Sequence, residues 1–129
     1  MGLTNAALTV LVPAVAGTSI PTPWNGSNTR IGVGDSSTAF AITQTDLVAA
    51  TNKFRQLVTG SPTVGGLPAY TLTYVALFAT TDANYTWAEW ATFNAASSGL
   101  MLQRFVQALG TKTSAQSWQL TVTLTFVPS

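Results

Sequence analysis

The clearest periodic signal lies late in the chain. From residue 118 to 127, Trp118, Leu120, Val122, Leu124 and Phe126 alternate with Gln119, Thr121, Thr123 and Thr125. This period of two predicts a strand with one apolar face and one face rich in threonine. Residues 70–79 alternate as well, with Leu72, Tyr74, Ala76 and Phe78 opposing Thr71, Thr73, Val75 and Leu77. Both sets carry apolar groups, which predicts a central strand covered on both sides. Residues 53–59 set Phe54, Gln56 and Val58 against Lys53, Arg55 and Leu57. Residues 30–33, 85–94 and 100–108 bring the total to about six strands, with turn signals between them. Those signals are Gly34-Asp35-Ser36-Ser37, Gly60-Ser61-Pro62 with Gly65-Gly66, Asp82-Ala83-Asn84, residues 95–99 and residues 110–114. Thr45 or Asp46 is placed to cap a helical turn reaching Asn52.

The first residues read differently. Residues 4–12 fit a short helix capped by Thr4 or Asn5, with Leu8, Leu11 and Val12 on one face. The same apolar run also fits a buried strand. Pro13 lacks an N–H and should stop or kink the helix. Residues 17–28, with Pro21, Pro23 and Gly26, predict an extended loop. The expected fold is mainly β: an antiparallel β-sandwich or flattened barrel with a short N-terminal helix. Residues 29–129 form the sandwich. Residues 1–28 form a docking and assembly segment whose removal should leave the rest folded.

Composition narrows the chemistry. The chain has 129 residues, enough for one domain. It has five Lys and Arg, four Asp and Glu, no His and no Cys. Without cysteine there are no disulfides, thiol nucleophiles or Cys-type zinc sites, and without histidine most general-base chemistry is lost. Charged residues make up 7%, against about 25% in an ordinary soluble domain. A lone surface so neutral tends to self-associate, so part of it is expected to meet other subunits. Arg30, Lys53, Arg55, Arg104 and Lys112 are scattered and nearly balanced by acids, which excludes the basic patch that nucleic acid needs. Residues 3–12 and Ala14-Val15-Ala16 imitate a signal peptide, but no Lys or Arg precedes them, so a cleaved signal is not expected. No apolar run is long enough to span a bilayer as a helix.

Few residues recommend themselves for chemistry. Asp35 and Asp82 fit turns, Asp46 a helix cap and Glu89 a strand, and no spacing suggests a paired-carboxylate site. Glu89 stands out because it lies between Trp87 and Trp90. A half-buried carboxylate wants a partner, and Arg104 is the candidate if residues 95–99 close a hairpin. The odd spacing of Trp87 and Trp90 predicts a bulge, or one indole facing a partner. Gly32-Val33-Gly34 lacks the further glycine and helix of a nucleotide-binding loop, so its glycines serve close packing or positive φ. Asp82-x-Asn84 lacks the distant Glu of a calcium loop. Asn25-Gly26-Ser27 is a chance match to the glycosylation sequon. No cofactor or metal is expected. Leu8, Leu11, Val12, Trp24 and Trp90 are the candidate assembly residues. The tryptophans fit core packing, and exposed ones would suit a glycan surface.

Several stretches then occur in a telling order. They are Leu3-Thr4-Asn5-Ala6-Ala7, Ile31-Gly32-Val33-Gly34-Asp35-Ser36-Ser37-Thr38-Ala39-Phe40, Gln44-Thr45-Asp46-Leu47, Glu89-Trp90-Ala91-Thr92-Phe93-Asn94-Ala95, Leu109-Gly110-Thr111-Lys112-Thr113 and Trp118-Gln119-Leu120-Thr121-Val122-Thr123-Leu124-Thr125. Together they resemble a family of small virion structural proteins from tailed bacteriophages, over most of the chain but not residues 17–28. The resemblance implies a non-enzymatic part of the particle, assembled in the host cytoplasm. It ranks a capsid decoration or minor head protein first, one that self-associates and stabilises the particle, with the major capsid protein as partner. A trimer would suit such a role. The alternative is a tail or fibre component that binds host-surface glycan. No catalytic residues come with the resemblance.

Overall fold

The computed structural model describes residues 3–66 and 68–126. Val127, expected at the end of the last strand, lies outside them. The order is α1 (Asn5–Val15), β1 (Arg30–Gly34), β2 (Lys53–Leu57), β3 (Thr63–Gly65), β4 (Tyr70–Phe78), β5 (Thr86–Phe93), β6 (Met101–Thr111) and β7 (Trp118–Phe126). Two antiparallel sheets form, ordered β2-β1-β5-β6 and β3-β4-β7. They stack as a sandwich and do not close into a barrel. A single bridge between Val58 and Ala76 joins them at one side.

The core lies between the sheets. Ile31, Val33, Trp87 and Trp90 meet Tyr74, Ala76, Phe78, Val122 and Leu124 there. Burying side chains of this size contributes about 1.5–3 kcal/mol each. Phe78, Trp87 and Trp118 pack edge to face, with centroids 4.8 and 5.0 Å apart, the arrangement that ring quadrupoles favour. The β5–β6 register shifts between Trp87 and Glu89. That irregularity allows both indoles to join one core despite their odd spacing.

Several expectations are corrected. The helix does not end before Pro13 but runs to Val15. Proline removes one N–H without forbidding helical φ. The stop comes at Gly17, where φ is +72°. There Gly17 N donates to Ala14 O and Thr18 N to Pro13 O, closing the helix with a left-handed cap. Residues 45–52 form no helical turn. β3 forms within residues expected to be loop; at three residues it is too short to show a period. β4 is covered on one side only, and Leu77 on its outer face is 52% exposed.

Residues 3–28 are tied to the sandwich at several points. Thr4 caps α1 by accepting from Ala7 N, and its hydroxyl donates to Met101 O. Leu3 pairs with Gln103 at the β6 edge. Ala7 is fully buried in the core and Leu11 packs against it. Asn94 Nδ2 donates to Thr22 O and the Tyr74 hydroxyl to Trp24 O, tying down the loop. The expectation that the sandwich folds without this segment does not fit these ties.

Candidate functional site

The most polar construction in the molecule lies on the outer face of the four-stranded sheet. It begins with two glycines. Gly32 pairs with Arg55 on one side and Ala91 on the other; Gly34 pairs with Lys53 and Glu89. A Cβ at Gly32 would lie 2.8 Å from Phe93 Cε2 and 3.0 Å from Leu47 Cδ1. One at Gly34 would strike the Glu89 carboxylate. The glycines therefore open a trough along β1. They serve close approach, not a phosphate, and both are in a strand.

Residues 35–52 cross this trough as an irregular strap. Leu47 drops into it and packs with Ala91, Phe93 and Met101 as a second, smaller core. The strap's backbone then finds an unusual acceptor. Val48 N and Ala49 N donate to Glu89 Oε2 and Oε1 at 3.0 and 2.8 Å. This explains the missing helical turn, because the N–H groups that would have continued it are held by a strand carboxylate. Asp46 is not a helix cap either. Its carboxylate accepts from Leu47 N, Lys53 Nζ and Arg55 Nη2.

Glu89 and Arg104 are brought together under the strap. Arg104 Nε donates to Glu89 Oε2, and both side chains are 0% exposed. Arg104 lies diagonally from Glu89, since Glu89 pairs with Val106 and Ala91 with Arg104. Arg104 Nη1 reaches Gln44 Oε1 at 3.2 Å. Gln44 is itself fixed to Ala41 N and Ala39 O. The pair is thus wholly buried, where half burial was expected. Burial of two charges is tolerable when the remaining lone pairs and protons are met; the strap's N–H groups meet those of Glu89, whereas Arg104 Nη2 is buried without a partner.

A second cluster anchors the strap's far end. Arg55 lies 3.5 Å above the Phe93 ring centroid and donates to Asp46, Ala95 O and Ser98 O. Burial pushes the Asp46 carboxyl up, but hydrogen bonds from Lys53 and Arg55 outweigh it and hold the group below its ordinary 3.8. Close by, the Tyr85 hydroxyl donates to Val33 O. Burial, with Asp35 and Glu89 near, drives its titration far above the usual phenol range.

These groups restrain one another and the strap. The Glu89 carboxylate has no solvent-facing side, so no substrate can reach it. Asp46 is neutralised by two cations. Among the described residues no three His, Cys, Asp or Glu side chains converge to hold a metal.

The assembly candidates divide. Leu8 and Val12 are exposed on α1, joined by Val15, which is 91% exposed. Leu11 and Trp24 instead pack on the core. Trp90 is buried, stacked on Phe105 at 5.5 Å, with its indole N–H on Gln107. Leu11 and Trp24 are thus partly covered, with Leu11 still lining an open apolar pocket beside Val12 and Val15. Val15 was missed because Pro13 was expected to end the helix before it. The strap was missed because no local pattern announces a backbone that bonds to a distant carboxylate.

Fold and site together define an antiparallel two-sheet sandwich with a strapped, internally neutralised outer face. Comparison with known protein families, curated proteins and solved structures finds no match to the chain.

Proposed function

We propose that this chain is a non-enzymatic structural protein of a bacteriophage particle, a capsid decoration or minor head protein that self-associates and stabilises the shell. The observation that carries the assembly part is where the charges sit. Glu89, Arg104 and Lys112 are buried, and the other six charged residues are half-buried or exposed, with Lys53 and Arg55 paired to Asp46. The surface they serve measures 6815 Å². Domains that live alone in water place charge on about a quarter to a third of surface positions. A surface this neutral suits contact with other protein, whose buried centres are depleted of charge. The α1 stripe of Leu8, Val12 and Val15 supplies an apolar contact for the capsid lattice. The phage setting rests on the sequence resemblance alone.

The glycan-binding alternative finds less support. No tryptophan is fully exposed: Trp87 and Trp90 are buried, and Trp24 and Trp118 are half-buried. No aromatic platform for sugar is left on the surface by these four.

The test is the mass of the purified chain by light scattering, with its position in an intact particle located by electron microscopy. An oligomer seated on the head is expected. A stable, highly soluble monomer absent from particles would overturn the proposal.

A further inference from the structure

The two sheets have four edges; two are guarded along their length and a third at one end. β2 carries Lys53 and Arg55, and the chain beyond it crosses to the other sheet through the Val58–Ala76 bridge. β3 has only three residues. The β6 edge is met by Leu3 and Thr4 at Gln103 and Leu102, which blocks its first residues. Charge, shortness and cover are the devices by which proteins blunt sheet edges.

β7 has none of them. It runs nine residues, Trp118–Phe126, without charge or proline, and pairs with β4 in unbroken register from Tyr70↔Phe126 to Phe78↔Trp118. Among the described residues its backbone bonds to no strand but β4. Its free side is thus a row of unpaired N–H and C=O groups. Its core-facing residues also change along its length: Val122 and Leu124 are buried, whereas Trp118, Leu120 and Phe126 are only partly covered.

We infer that β7 is the self-association edge, pairing antiparallel with β7 of a second copy into a continuous six-stranded sheet. This rests on the self-association proposed above and names its interface. A two-fold axis at Val122 sets Trp118 against Phe126 of the partner subunit, Leu120 against Leu124 of the partner subunit, and Thr121 against Thr123 of the partner subunit. Apolar residues then meet apolar on the core side, and on the outer side threonine meets threonine at the centre and Gln119 meets Thr125 at the ends. No like charges oppose one another, and a formal net charge of +1 per chain leaves little long-range repulsion. An antiparallel strand pair has two-fold symmetry, so this edge builds a dimer; a three-fold assembly would use another surface.

The test is a charge exchange on the outer face. Thr121 and Thr123 are exposed, so replacing them need not disturb the core. Full-length chains carrying T121K and T123K together, or T121E and T123E together, place like charges opposite one another across the axis. Sedimentation should show a wild-type dimer, a monomer for each charged variant, and dimers again in their equimolar mixture. The inference is overturned by a wild-type dimer that the lysine pair leaves intact, which would leave self-association standing on another surface. A monomeric wild type at all concentrations overturns both it and the self-association reading. Should the charged variants unfold, cysteine decides, since the chain has none of its own. Thr121→Cys mixed with Thr123→Cys should cross-link under mild oxidation far more than either alone, and equal cross-linking in all three samples refutes the register.

Discussion

Gly34 and Glu89 face each other across β1 and β5, and the missing side chain of one is the space occupied by the carboxylate of the other. That carboxylate cannot retreat, because Val48 N, Ala49 N and Arg104 hold it. Gly34→Ala should therefore cost about 1–3 kcal/mol, the usual penalty of overpacking. Gly66→Ala is the control, since a Cβ there meets nothing within 4 Å. Urea unfolding should separate the two variants; equal stabilities would show that the carboxylate moves aside freely.

Glu89 and Arg104 should not be equivalent when removed. Glu89→Leu strands a buried guanidinium and two strap N–H groups together, for a loss of about 3–5 kcal/mol. Arg104→Leu leaves the carboxylate with two backbone donors, so it should cost less. The double variant should cost clearly less than the sum of the two, with a coupling of about 0.5–3 kcal/mol. Denaturant curves of the four proteins check this, and strict additivity would mean that the pair is not coupled.

Acid should loosen the strap's far end first. Asp46 has a lowered pKa in the folded chain, so its contribution is fully present above the ordinary carboxyl value of 3.8 and is lost as pH falls through the lower folded value. Its side chain is 42% exposed, so the contribution should stay below about 1 kcal/mol. Asp46→Asn should remove this part of the pH dependence. Stability of wild type and variant at pH 7 and at pH 3 tests it: the gap between them should narrow in acid, and a constant gap would rule out the titration.

The fold was most legible where one face of an element is buried and the other is not. In β7 a one-residue slip would turn Leu124 outward, so the alternation had to be strict and could be read directly. The spacing of Trp87 and Trp90 likewise signalled an irregular strand. Glu89 was legible as a misplaced charge, and its pairing with Arg104 followed from a hairpin of neighbouring strands. The strap was not legible, because Ala49 bonds to a residue 40 positions away and its own neighbours carry no period. Leu77 misled because an apolar residue on a strand does not require cover. Trp24 misled in the other direction: it lies in a loop, yet that loop is fastened through the Tyr74 hydroxyl.

Removing residues 1–28 should abolish cooperative folding, not merely assembly. Ala7 fills the core at 0% exposure, and its loss opens a cavity there. Leu3 and Thr4 leave Met101, Leu102 and Gln103 without their edge partners. Departure of Trp24 uncovers Tyr74 and leaves its hydroxyl unpaired. Each of these losses is worth about 1–3 kcal/mol, and a domain of this size has about 5–15 kcal/mol in total. The truncated chain should lose its near-ultraviolet circular dichroism and melt without a sharp transition. Replacing Val12 and Val15 by serine touches only exposed positions and should leave the melting transition nearly unchanged. A truncated chain that melts as sharply as the full one would show that the helix and loop rest on the sandwich without supporting it.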